Sequence, residues 1–280
     1  MTKRAFRLET EQFSQERFFC RFVDWRVGAG LLVAFALSMA MASAQGAAQQ
    51  AAPSPLATLV IWMPFILKGF ALNLVISFLA MAIATVLGIG LGLMQISLIW
   101  LVRAPSRFVT HLLRNSPWLV ILFVIMLLLP VDIRLPGNQR VMFPDWIKVT
   151  IAFALPVMGN ISEILRGAVN SIPTGQWESA EGLAFTRSQA LRWIILPQCI
   201  RRAIPPWMNW YALLTLSTPM ASIFSIHEAV SNAQAGMEAA GARPGLLIPF
   251  YLFLLCLFFI YIYPIAVWTR KLERKYAVGS

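Results

Sequence analysis

Apolar positions in this chain come in long unbroken stretches, not in the three-to-four spacing of a half-buried helix or the alternation of a surface strand. A polar opening, residues 1–26, carries six basic and four acidic side chains and is followed by VGAGLLVAFALSMAMASA at 27–44, which is uncharged but short. QGAAQQAAPSP at 45–55 has the small, polar, Pro-containing composition of a linker. With the residues up to 61 it forms the expected periplasmic connection. Uncharged or nearly uncharged runs then cover 68–102, 111–130, 146–169, 206–224 and 246–268. Each lies near or above the ~20 residues that cross a bilayer. A spanning segment must satisfy its own backbone polar groups, so continuous apolar runs predict helices rather than barrel strands. The expected fold class is an all-α integral membrane protein: five helices within a domain at 62–275, plus one extra N-terminal hydrophobic helix.

Residues 27–44 resemble a signal-peptide core, with Ala42-Ser43-Ala44 as an A-x-A cleavage site. The basic leader is long for that purpose. A retained helix, with Arg21 and Arg26 holding its start in the cytoplasm, is the preferred reading. Orientation of the rest follows from charge. Arginine or lysine gathers at 99–114, at 166–202 and in the tail RKLERKY, whereas 131–148 and 225–245 are mixed in sign. Positive-inside then puts the loop at 172–197 and the C-terminus in the cytoplasm, whether or not the first helix is cleaved. The loop at 225–245 falls on the periplasmic side, as a gate, a landing site or a passive interfacial helix.

Composition agrees: the 280 residues are 59% hydrophobic and 12% charged, about half the charge of a soluble domain. The net charge of +11 reads as cytoplasmic loop arginines rather than a nucleic-acid surface. Cys20, Cys199 and Cys256 lie far apart without CxxC or zinc spacing, and His111 and His227 stand alone, so no metal site is expected. Gly88, Gly90 and Gly92 lie inside an apolar run with no strand before them, which removes a nucleotide-binding reading. Gly88 and Gly92, four apart, predict a close helix-packing surface.

The passage GQWESAEGLAFTRSQALRWIILP, 175–197, is polar where its flanks are apolar. Pro173 ends the preceding helix. A short helix beginning at Thr174 or Gly175 would place Glu178 in its first turn, where the helix dipole favours an acid. Thr186-Arg187-Ser188-Gln189 has the capping-box pattern and predicts a second helix. Trp177, Ala180, Leu183 and Ala184 are spaced as one apolar stripe. Two amphipathic helices joined by a bend suit docking into a partner's groove; they equally suit lying on lipid.

Glu178-Ser179-Ala180, then Ala184, then Ile194-x-Leu196-Pro197 resembles the EAA loop of bacterial ABC importer permeases: E-A-A, three residues, Gly, nine residues, I-x-L-P. RGAVNSIPTGQWE (166–178), RNSPWLVILF (114–123) and LPQCIRRAIPPWMN (196–209) are similar to the polar amino-acid subfamily, and the resemblance covers about 64–275. Three places depart from the pattern, the first being Ser179, which stands where the triplet's first Ala is usual. Ala184 stands where a Gly is usual, although Gly182 nearby could absorb some of the bend, and Leu216-Ser217 stand where a Lys-Asp or Lys-Asn pair is common.

The resemblance implies an inner-membrane permease that pairs with a second permease chain, identical or sibling. It also implies two ABC ATPase subunits and a periplasmic binding protein that delivers a polar amino acid or related solute. No P-loop occurs in the sequence, so no cofactor is expected on this chain, and ATP with Mg belongs to the partner. Under that reading Glu178, Ser179, Ala180, Ala184, Ile194, Leu196 and Pro197 form the ATPase-coupling loop. Glu178 would be its anchor, Ala180 and Ala184 would permit close approach, and Pro197 would set the exit angle. Polar groups on membrane helices are candidates for the solute pathway: Asn160, Ser162 and Glu163 in the fourth helix, and Asn209, Thr215, Ser217, Thr218 and Ser222 in the fifth. Each hydroxyl has the plainer alternative of bonding back to its own helix, and Glu163 with Arg166 reads more simply as a surface ion pair. Pro219 should kink the fifth helix. A secondary transporter or channel is the rival class; the docking-like loop and the lack of a mid-helix acidic relay count against it. A membrane enzyme lacks any catalytic arrangement.

Overall fold

The computed structural model describes residues 53–134 and 140–276, together with Gly30, Val33 and Leu37. The expectations for 1–26 and 27–44 lie outside the described residues, apart from those three positions, which are helical.

Ser54 and Pro55 open the first long helix. The Ser54 hydroxyl accepts the Ala57 amide, and Pro55 suits a first helical position because its missing N–H is not needed there. Helix α1 is therefore Pro55–Gln95, 41 residues. The periplasmic linker expected to reach residue 61 stops short of 55. At 1.5 Å per residue α1 is about 60 Å long, roughly twice the hydrocarbon thickness of a bilayer. It ends at Gln95 rather than continuing to 102. Helix α2 (Trp100–Asn115) follows, exposing Trp100, Leu101, Phe108 and Leu112 and burying Ser106 and Thr110.

The third expected span is broken. Helix α3 (Trp118–Leu128) lies at 107° to α2. The cause is Pro117: it has no N–H, and its ring drives Ser116 out of the helical region to ψ 136. An antiparallel hairpin, β1 (Asp132–Arg134) and β2 (Arg140–Met142), pairs Asp132 with Met142; the apolar pattern gave no sign of it.

Helix α4 (Asp145–Asn170) is the most enclosed of the long helices. Ile76, Met81, Leu122, Phe153, Val157 and Leu214 form one buried cluster around it. The small-residue surface of α1 serves this contact: a Cβ on Gly88 would lie 2.8 Å from Ile161 Cβ, and one on Gly92 would lie 2.9 Å from the Ser162 carbonyl. At Gly90 the space is open.

Two short helices occupy the polar passage, α5 (Thr174–Gly182) and α6 (Arg187–Ala190). A π-helical turn (Leu191–Ile195) leads directly into α7 (Leu196–Ser217). The fifth membrane helix thus begins ten residues before 206, with Arg201 and Arg202 in its first turns and Pro197 within its first two positions. Pro197 lacks the N–H for an ordinary helical bond, and the Leu196 amide reaches back five residues to the Leu191 carbonyl. The exit is this widened turn, not an angle set at Pro197. At Thr218 the helix tightens to a 3-10 segment (Thr218–Phe224) starting beside Pro219. Then come α8 (Ala229–Ala239), a 3-10 turn (Pro244–Leu246) and α9 (Leu247–Tyr276).

Three stretches, α1, α4 and Pro244–Tyr276, are long and apolar enough to cross a bilayer, and the bent α2–α3 pair makes a fourth if it counts as one span. The chain forms two compact units. One combines the described residues up to Pro64 with Ala235–Leu255, and the other combines Phe65–Gln234 with Cys256 onward. Within the first, Gly236 backs onto Trp62, and Arg243 donates to the Pro53 carbonyl at 3.1 Å.

Candidate functional site

The loop at 172–197 is built by two caps. Helix α5 starts directly after Pro173, so Glu178 falls in its second turn, and the first-turn dipole role expected for it is absent. Ala180 is buried and Trp177 half-buried on the helix's inner side, but the expected stripe ends there. At the C-terminus the Phe185 amide donates to the Ala180 carbonyl and the Ala184 amide to the Glu181 carbonyl, at 3.1 and 2.9 Å. This is a Schellman closure, which needs a left-handed residue at Ala184's position. Ala184 has φ +60. Gly182 remains helical, so the bend rests wholly on Ala184, the position where the family pattern has Gly. Leu183 therefore leaves the helical face and projects 71% exposed at the tip. Of the stripe of four, Ala180 is buried, Trp177 half-buried, and Leu183 and Ala184 are exposed.

The second cap matches its pattern. Thr186 accepts the Gln189 amide while the Gln189 side chain accepts the Thr186 amide. Beyond it, Ile194 and Leu196 pack against a buried cluster that includes Leu165, Val169, Ile195 and Cys199. Glu178 and Ser179 are exposed, the latter's hydroxyl bonded to the Gly175 carbonyl. Beside the loop a cleft of about 1030 Å³ is lined by Arg103, Arg107, Arg166, Trp177, Glu178 and Arg187. The loop thus presents an apolar tip and an accessible acid on a doubly capped frame.

The pathway candidates divide. Thr215, Ser217 and Ser222 bond back to the carbonyls of Tyr211, Leu213 and Pro219, the plainer alternative for each. Asn209 and Leu216 face outward. Asn160 is buried, donates to the Pro156 carbonyl and accepts from Arg114 at 3.1 Å. Glu163 receives Arg166 along both oxygens and lies 3.8 Å from Arg114; it belongs to an ion-pair group. Thr218 is buried and engaged from another helix.

Two buried polar junctions escaped sequence reasoning. In the first, Asn73 of α1 donates to Thr218 Oγ1 (2.9 Å) and Glu228 Oε2 (3.0 Å) and accepts the Ala229 amide. Glu228, fully buried, caps α8 by accepting the amides of Val230 and Ser231. One turn before Asn73, a Cβ on Gly69 would sit 2.5 Å from the Glu228 carbonyl carbon, and one turn further Asn232 donates to the Phe65 carbonyl. In the second, Gln95 donates to Thr110 and Ser162, both at 2.9 Å, tying α1, α2 and α4 together. The available signal was a lone amide in an apolar run, Asn73 and Gln95, since such groups are costly in lipid unless partnered. Glu228 was hidden because it precedes a short polar helix rather than sitting in a span.

Residues 84–276 match the family of binding-protein-dependent transport system inner membrane components. The chain is 31% identical over 214 residues to a probable amino-acid ABC transporter permease protein, YckA, of Bacillus subtilis (strain 168), covering 76% of this chain and 90% of that protein. It is 33% identical over 172 residues to the octopine transport system permease protein OccM of Rhizobium radiobacter, covering 60% and 70%. Among solved structures, its fold is similar to the crystal structure of an amino acid ABC transporter with histidines, with TM-score 0.67 and 22% identity over 78% of this chain and 97% of that one. It is also similar in fold to the MetNI methionine ABC transporter in an inward-facing conformation, at TM-score 0.58 and 14% identity over 76% of this chain and 97% of that one. The chain belongs to the family of binding-protein-dependent transport system inner membrane components and is a permease component of an ABC importer.

Proposed function

We propose that this permease imports a polar amino acid or a related small solute handed over by a periplasmic binding protein. Transport is driven by ATP hydrolysed on two separate ABC ATPase subunits, which carry the ATP and Mg. The permease lies in the inner membrane beside a second permease chain, with its C-terminus in the cytoplasm, and it binds no cofactor of its own. The observation that carries the reading is the doubly capped loop, with Leu183 projecting beyond the left-handed Ala184 and with Glu178 accessible. An apolar tip flanked by an acid suits a groove on a partner protein. The solute class is supported by the names of the amino-acid and octopine permeases that the chain resembles.

The test is isolation of the chain from its host in mild detergent, with uptake measured after reconstitution into vesicles. Co-elution of a P-loop ATPase, and ATP-dependent uptake of an amino acid once the binding protein is added, is the expected result. Uptake that persists without any ATPase would return the chain to the secondary-transporter class. A cysteine replacing Tyr276 should resist impermeant maleimide in intact cells; labelling there would reverse the orientation.

A further inference from the structure

A cavity of about 500 Å³ lies among the C-terminal turns of α2 and α4 and the first half of α7. Its wall includes Arg114, Asn160, Glu163, Gly167, Arg202 and Trp210. All three elements end or begin here beside the arginine-rich loops, so the cavity opens toward the side that the charge distribution assigns to the cytoplasm.

Both arginines are held from one edge. Arg114 donates through Nε to Asn160 at 3.1 Å. Arg202 donates through Nη1 to the Ser171 carbonyl at 2.7 Å and to the Ser171 hydroxyl at 2.9 Å. Among the described residues neither Nη2 has a hydrogen-bond partner. The single acid on the wall, Glu163, bonds Arg166 and lies 3.8 Å from Arg114 Nη1, so it offsets part of the Arg114 charge; with Arg202 the wall still carries an excess of positive charge. A guanidinium with a free edge recognises a carboxylate through paired charge-assisted bonds. Trp210 adds an apolar surface. The volume is at the lower end of small-molecule sites.

We propose that this cavity is an exit site for the transported solute, in which Arg114 and Arg202 hold its carboxylate before release to the cytoplasm. The inference rests on the amino-acid reading above. It makes specificity a property of this chain as well as of the binding protein.

Gly167 offers an independent probe, because a Cβ there meets nothing within 4 Å; Gly167→Leu fills the cavity without removing either arginine. The experiment uses the whole reconstituted transporter with its ATPase and binding protein. L-glutamate, L-glutamine and L-arginine are sealed in turn on the cytoplasmic side of the vesicles, each against its α-carboxamide counterpart, and inhibition of uptake is measured. In the wild type at least one amino acid should inhibit at least about tenfold more strongly than its carboxamide, the scale of one hydrogen bond to a charged group. Arg114→Gln, Arg202→Gln and Gly167→Leu should abolish that difference while still co-purifying with the ATPase and unfolding near the wild-type temperature. Equal inhibition by acid and carboxamide in the wild type, or a difference that survives in all three well-folded variants, would overturn the proposal. Failure of the amino-acid reading is a separate result, seen in uptake alone: a wild-type complex that imports no carboxylate-bearing solute.

Discussion

Asn73 and Glu228, 155 positions apart in sequence, meet at 3.0 Å with no solvent exposure at either residue. The amide of one long helix thereby stabilises the acid that caps a short one, and its other bonds reach Thr218 and the Ala229 amide. Truncation by Asn73→Ala removes donors from a buried carboxylate, which should cost roughly 1–3 kcal/mol or more. Glu228→Gln keeps the shape but turns an amide NH2 toward donors that both carboxylate oxygens accept, so it should also cost roughly 1–3 kcal/mol. Denaturant unfolding in detergent would check both; unchanged unfolding midpoints in the two variants would show that the junction does not hold α8 in place.

Ala184 adopts a backbone conformation that a Cβ disfavours by roughly 1–2 kcal/mol. Ala184→Gly should therefore stabilise the loop by about 1 kcal/mol and leave ATP-driven uptake intact, whereas Ala184→Val should weaken both. Thermal unfolding with paired uptake measurements decides this. A destabilised Ala184→Gly variant would show that the turn is not strained.

Glu178→Lys and Leu183→Asp change exposed side chains, so the isolated permease should keep its stability within about 0.5 kcal/mol. Retention of the ATPase on an affinity column should nevertheless fall, and uptake with it. Unaltered retention and uptake in both variants would remove the loop from the coupling role proposed for it.

The three glycines of α1 should respond unequally to alanine. Gly88→Ala and Gly92→Ala press a methyl into α4 at 2.8 and 2.9 Å and should destabilise by about 1–3 kcal/mol. Gly90→Ala enters open space and should stabilise by roughly 0.5–1 kcal/mol through backbone entropy alone. Equal unfolding midpoints for all three would refute the packing account.

The architecture was readable because lipid imposes one strong rule on sequence, long uncharged helices, and because the Thr186 capping box is a local signal that nothing distant can override. Breaks were harder to see. Pro117 interrupts a run that hydropathy alone joins, and Pro197, which looks like a terminator, is accommodated by a widened turn. Asn73 and Glu228 escaped because each looks inert in its own neighbourhood; their meaning arises only from a contact 155 positions away. Leu183 was misplaced since helical spacing was extended past a residue that had already left the helix.

From Arg187 to Ser217 the chain is helical without a break, a rod of roughly 45 Å at 1.5 Å per residue. Its lower end carries the Thr186 cap, and its upper end stops against Thr218, which Asn73 holds. Over that length a tilt of about 10° at one end corresponds to a displacement of about 8 Å at the other. The hydrogen-bond ladder changes step at the widened turn Leu191–Ile195, and it loses bonds again at Pro205 and Pro206. One helical element thus joins the polar loop at 172–197 to the buried Asn73–Glu228 clasp.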